Sequence, residues 1–308
     1  MQILVTGATG FVGRNLVPAL LDDGHEIRAL TRARSSTESM LDPRVEVREG
    51  DLLEPETIEG VFADVDVAYY LVHSLGYGKE FATVDHRAAS NFAAAASAAG
   101  VARVIYLGGL GETGSDLSEH LRSRREVEAI LAEGAYELTT FRAAVIIGAG
   151  SGSFEMIRQL VGRLPVMITP RWVRTPVQPI AIRDVVAYLR GALAVPETAG
   201  RTLEIGGPEV LTYEEMLRRT ASAMGRRLFM IPIPALTPRL SVYWIDLVTD
   251  TPKRISHPLV EGLRNPVVVT DETAQRLLDV ELTPFDEALA RALAAPNGSS
   301  EGATESCE

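Results

Sequence analysis

Three glycines stand where backbone chemistry is needed. Gly7, Gly10 and Gly13 fall in Thr6-Gly7-Ala8-Thr9-Gly10-Phe11-Val12-Gly13, after the apolar run Ile3-Leu4-Val5 and before a helical pattern of apolar residues. In this strand–turn–helix setting each glycine has its own duty. Gly7 permits the tight turn, Gly10 lets a pyrophosphate approach bare backbone, and Gly13 lets helix and strand pack closely. The free N–H groups and positive dipole at the helix start complete an anion site. Thr9, Phe11 and Val12 fill out the loop. The chemistry implied is the holding of a dinucleotide.

Further residues at the ends of later strands refine that reading. A dinucleotide fold commonly places a carboxylate on the adenosine ribose about 20 residues beyond the loop. This chain has Thr31-Arg32-Ala33-Arg34 there, with no carboxylate. A cation such as Arg32 suits a ribose 2′-phosphate, so NADP(H) is favoured over NAD(H); the alternative is an arginine that is merely solvated. Gly50-Asp51-Leu52 closes the next strand. Asp51 either accepts from the adenine amino group or caps the segment that Pro55 begins. Leu71-Val72-His73-Ser74 follows the fourth strand, where ribose and pyrophosphate should pass.

The elements that must position these residues alternate regularly. Strands are expected at Ile3–Val5, Ile27–Leu30, Val45–Val47, Val65–Leu71, Val104–Leu107 and Glu137–Phe141. Helices are expected at Phe11–Asp22, Phe81–Ala99 and Leu117–Ala132. Such alternation implies a parallel sheet covered on both faces, and right-handed crossovers make it doubly wound. The fold class is therefore α/β, a Rossmann-type doubly wound parallel sheet with a smaller mixed carboxyl-terminal domain. The expected division is 1–150 for the nucleotide-binding domain and 151–295 for a smaller substrate or partner domain, some of whose elements return to the Rossmann core. Residues 296–308 read as a disordered acidic tail. In the second half, helices are expected near Phe154–Val161, Asp184–Leu193 and Thr212–Met224, the last with Thr212 and Glu215 as a capping box. Thr202–Ile205 reads as a strand. Leu228–Trp244 is apolar, aromatic and broken by proline, fitting a pocket wall, a docking face or plain core.

Composition narrows the function classes. The 308 residues are 46% hydrophobic and 23% charged, with net charge -11. That balance argues against a general nucleic-acid binder, which needs a cationic face. A single cysteine, Cys307, excludes an internal disulfide and a cysteine-rich metal site. His25, His86 and His257 are scattered without metal spacing, so no metal is expected. No stretch reaches the ~18 apolar residues of a membrane span, and the expected compartment is cytoplasmic. Arginine outnumbers lysine 28 to two, which suits either a high-salt cytoplasm or a GC-rich genome.

Taken together, GATGFVG at 7–13, GDL at 50–52, QPIAIRDVVAYL at 178–189 and IGGPEVLTYEEM at 205–216 resemble the extended, atypical branch of the short-chain dehydrogenase/reductase superfamily. YYLVHS at 69–74 and LTPRLSVYWIDLVT at 236–249 are similar to an NmrA-like NAD(P)H-binding subgroup and to the Rossmann-type accessory subunit of respiratory complex I. The resemblance implies a serine after the fifth strand and a Tyr-x-x-x-Lys pair on the next helix. The chain departs at all three positions. Leu107-Gly108-Gly109-Leu110 carries no hydroxyl, and the best register sets His120 at the tyrosine and Arg124 at the lysine. Spacing of i,i+4 puts both on one helix face. His120 is then the candidate acid and Arg124 the group on the ribose; otherwise both are surface residues of a dead site.

The leading expectation is an atypical NAD(P)H-dependent oxidoreductase acting on a small apolar carbonyl or quinone-like compound. The alternatives are a non-catalytic NADP(H) sensor or respiratory-complex accessory or assembly protein, and a sugar-nucleotide epimerase or dehydratase. A small-molecule substrate, or none, is the expected partner, with peripheral membrane or respiratory-complex association open and oligomeric state unassigned.

Overall fold

The chain begins in a strand buried on both sides. In the computed structural model, which describes residues 1–73, 80–111, 119–232 and 265–295, β1 (Gln2–Thr6) leads through the glycine turn into α1 (Phe11–Asp22). Leu16, Val17 and Leu20 form the buried stripe of α1, and Gly24, at φ +81°, lets the chain reverse after it. β2 (Glu26–Thr31), α2 (Arg34–Met40), β3 (Glu46–Glu49), β4 (Val67–Tyr70), α3 (Phe81–Ala98), β5 (Arg103–Gly109), α4 (Glu119–Leu131) and β6 (Glu137–Ala143) follow. The later elements are β7 (Ile146–Ile147), α5 (Gly152–Arg163), β8 (Val166–Thr169), β9 (Pro176–Val177), β10 (Ile180–Ala181), α6 (Ile182–Ala194) and β11 (Thr202–Ile205). β12 (Leu211–Thr212), α7 (Tyr213–Ala223), β13 (Phe229–Pro232), α8 (Thr273–Leu278) and α9 (Phe285–Ala294) complete the described chain.

Seven strands form one parallel sheet in the order β11-β6-β5-β4-β1-β2-β3. The alternation of side chains along each strand feeds two cores. Ile3, Val5, Tyr69 and Phe141 pack beneath α1 and α6, with Val185 and Leu189 from the latter. Leu4, Tyr70 and Tyr106 pack on the opposite face with Phe92 of α3 and Val127 of α4. Strand order reverses at β1, whose neighbours are β2 and β4, and a crevice at such a reversal is where open α/β sheets take ligands.

The elements after β6 do two jobs. α6 packs on α1, and β11 pairs with β6 in register Thr202↔Thr140 to Ile205↔Ala143. The remainder build a third core over the sheet from Phe154 and Leu160 of α5, Met216 and Leu217 of α7, and Phe285 and Leu289 of α9. The capping box at Thr212 is present in full: the hydroxyl accepts from Glu215 N at 3.1 Å, and the Glu215 carboxylate accepts from Thr212 N at 2.7 Å. The expected tail 296–308 and most of Leu228–Trp244 lie outside the described residues.

Candidate functional site

The β1–α1 turn is built for bare backbone. Gly7 has φ +76°, and a Cβ there would lie 2.9 Å from Leu71 O at the end of β4. A Cβ on Gly13 would lie 2.3 Å from Gly7 O. Both positions therefore exclude a side chain for reasons internal to the fold. Gly10 differs: a Cβ there would have only Gly7 O, at 3.1 Å, among its near neighbours, and the residue is exposed. It is the N-cap of α1, no side chain caps the helix, and its first turn holds no acidic residue. The N–H groups of Phe11, Val12 and Gly13 thus begin a 12-residue helix with its positive end open beside bare backbone. Leu16 and Val17, one turn further, anchor that helix in the core.

Around this turn the other predicted positions gather. Thr9 is half-buried within the loop. Leu71 continues the β1–β4 pairing by donating N–H to Thr6 O at 3.2 Å, which sets Leu71, Val72 and His73 alongside the glycine turn. Arg32 follows β2 immediately and is exposed. Arg34, two residues on, pairs with Glu38 at 2.7 Å. Asp51 braces its own turn, where one carboxylate oxygen accepts from Leu53 N at 2.8 Å. Leu52 is buried in the core, so its side chain is closed to a ligand. The 51–53 turn is held by α3, where Asn91 Nδ2 donates to Leu52 O and Arg87 to Leu53 O, each at 2.6 Å.

Arg124 is not a surface residue. It is 6% exposed, and its guanidinium donates to Val72 O after β4 and to Leu107 O within β5, each at 3.3 Å. The same group lies 3.3 Å from His73 Nδ1, 3.8 Å from Asp85 Oδ2 and 5.0 Å from the centre of the Tyr106 ring. Asp85, 1% exposed on α3, lies 3.2 Å from His73 Nδ1. The carboxylate balances the guanidinium and sets the imidazole orientation. Burial first, and then the Arg124 charge, lower the His73 pKa from its ordinary value, against the opposing pull of Asp85. His73 is therefore held neutral near pH 7, with 27% of its side chain exposed.

His120 lies in the first turn of α4, one helical turn before Arg124; its side chain lies outside the described residues. Leu107, Gly108 and Gly109 end β5 without a hydroxyl. Arg142 of β6 is paired with Glu128 at 2.7 and 3.0 Å. Sequence reasoning missed Asp85. Its signal was there: a carboxylate on the stripe Phe81, Ala88, Ala89, Phe92, which is the buried face of α3.

Comparison with known proteins agrees with this geometry. Residues 7–146 match a family described as NAD(P)H-binding. The chain is 30% identical to the ceramide reductase of Caulobacter vibrioides, across 99% of this chain and 93% of that one. It is 27% identical to the mitochondrial NADH dehydrogenase [ubiquinone] 1 alpha subcomplex subunit 9 of Arabidopsis thaliana, across 91% and 73%. Among solved structures, a nucleoside-diphosphate-sugar epimerase of Staphylococcus aureus shares the fold with TM-score 0.75 at 16% identity, covering 94% of this chain and 100% of that one.

Proposed function

Since this chain belongs to the NAD(P)H-binding family of short-chain dehydrogenase/reductase-like proteins, we propose that it is an NADPH-dependent reductase of a carbonyl group on an apolar, lipid-like substrate. The observation that carries the reading is the open, uncapped start of α1 beside Gly10. Gly7, Gly10, Gly13 and the first-turn N–H groups would hold the diphosphate. Arg32 would face the 2′-phosphate, Asp51 and Leu52 the adenine edge, and Leu71, Val72 and His73 the ribose side. NADPH, when bound, supplies the hydride.

The remaining work falls to side chains. A carbonyl oxygen gaining negative charge needs a proton, and His120 is the residue we assign to deliver it. Arg124 is a positioning residue: it ties the ends of β4 and β5 together and holds His73 beside the ribose path. With no hydroxyl at the end of β5, this site orients its carbonyl without the usual serine donor. The lipid-like substrate class rests on the near full-length relative named ceramide reductase.

The test is cofactor binding followed by turnover. NADPH should bind more tightly than NADH. Arg32→Asp should weaken NADPH on the order of 10–100-fold, the scale of a lost charge-assisted hydrogen bond, and leave NADH nearly unchanged. An unchanged preference would remove Arg32 from the site. NADPH oxidation should then appear with a keto-lipid or quinone panel and fall in His120→Ala.

One observation favours a second reading, a cofactor-binding accessory protein. The guanidinium of Arg124 is already engaged by protein groups, and the register read from the sequence leaves no serine, tyrosine or lysine at the superfamily positions. Tight NADPH binding with no oxidation across the panel would favour this reading over the reductase.

A further inference from the structure

Away from the glycine turn, β8 and β13 make a parallel sheet of two strands. Their register sets Phe229 beside Val166 and Ile231 beside Ile168. These four residues are 62%, 47%, 51% and 41% exposed, whereas Met167, on the opposite face, is 3% exposed and joins the third core. The sheet thus lies on the protein by one face and turns four adjoining large apolar side chains outward, which is a patch rather than scattered single residues.

The charge around this patch runs against the rest of the chain. Residues 156–174 contain four arginines and residues 216–233 contain four more, with no Asp or Glu in either stretch, in a chain of net charge -11. Several are neutralised from outside: Arg158 by Glu155, Arg218 by Glu214, and Arg219 by Glu209 and Asp286. Arg226 and Arg227, directly before β13, are exposed. Because the strands are parallel, their starts lie together: Phe229 N donates to Pro165 O at 2.9 Å, and Arg226 donates to Gly162 O. The two arginines therefore stand at one end of the apolar face.

We propose that this face docks on the anionic surface of a lipid bilayer. Val166, Ile168, Phe229 and Ile231 enter the boundary between headgroups and acyl chains, and Arg226 and Arg227 meet anionic headgroups. A bilayer fits better than the other occupants. Exposed apolar side chains with cations at one end are the pairing that anionic headgroups over acyl chains complement. No helix among the described residues is long and apolar enough to cross a membrane. This docking does not depend on whether the glycine-turn site performs chemistry.

The experiment is co-sedimentation of the full chain with vesicles of phosphatidylcholine alone or mixed with phosphatidylglycerol. The mixed vesicles should bind the chain. Each arginine should contribute on the order of fivefold to partitioning, and about 0.5 M sodium chloride should release much of the bound protein. Phe229→Ser with Ile231→Ser should lower partitioning at least tenfold. Arg226→Glu with Arg227→Glu should do the same, and both double variants should keep the native circular dichroism, because the replaced side chains are exposed. The proposal is overturned if the wild-type chain ignores anionic vesicles or if folded variants bind as well as it does. Light scattering that shows a dimer dissolved by Phe229→Ser with Ile231→Ser would also overturn it.

Discussion

At the scale of the residue, the cluster His73–Asp85–Arg124 decides how the crevice beside β4 behaves with pH. The native state holds His73 neutral, so its folded pKa lies below its unfolded value. Such a group contributes stability that is present above the unfolded pKa, about 6.5, and is lost as pH falls, because the unfolded chain takes the proton more readily. His73→Gln should therefore flatten the decline of stability between about pH 7 and pH 5, measured as the urea midpoint against pH. An equal slope in the variant would show that other groups carry it. The glycine triplet was legible because it depends on spacing within one turn. The burial of Arg124 was not: a basic residue in Ser-Arg-Arg-Glu looks solvated until Val72, Leu107 and Asp85, distant in sequence, are placed around it.

At the scale of the element, the expected and observed bounds of α1 coincide at Phe11–Asp22, since the glycine at each end and the stripe of Leu16 and Leu20 fix them locally. α2 was missed because Arg34–Met40 offers only Thr37 to the interior. β5 and β6 run two residues further than their apolar runs suggest, to Gly109 and Ala143, because each continues to pair with the other. The start of α6 is tied to the carboxyl-terminal segment by a buried contact: Asp184 accepts from Thr283 N at 2.8 Å and from its hydroxyl at 2.6 Å. Asp184→Ala would leave the Thr283 N–H buried without its acceptor. The cost should be about 1–3 kcal/mol, seen as a lower denaturation midpoint at unchanged m-value. A midpoint equal to the wild type would mean that water replaces the carboxylate without loss.

At the scale of the molecule, the doubly wound sheet was legible from alternation alone, and so was the return of some later elements to it, but not which element returns or where it pairs. β11 reads as the same short apolar run whether it pairs with β6 or stands apart, and only its long-range register makes it the seventh strand. The third core is less legible for the same reason, since it is assembled from α5, α7 and α9 rather than from a local motif. A chain that takes its cofactor only when folded gains stability by mass action, about 2.7 kcal/mol at a ligand concentration 100 times Kd. NADPH should therefore raise the melting temperature more than equimolar NADH does; equal shifts would deny the preference assigned to Arg32.

The central claim, that a diphosphate rests on the start of α1, has a test in which stability and binding move in opposite directions. Gly10 is an N-cap in extended conformation, at φ -69° and ψ 171°, with no side-chain cap. Aspartate is among the best N-cap residues and favours the positive end of a helix, yet its charge would repel a phosphate from the same place. Calorimetric titration of NADPH into the wild-type chain and into Gly10→Asp measures this directly. The wild type should bind, and the variant should melt at the same temperature or higher while giving no binding heat. Undiminished NADPH binding by the variant, or no binding by the wild type, would contradict the assignment.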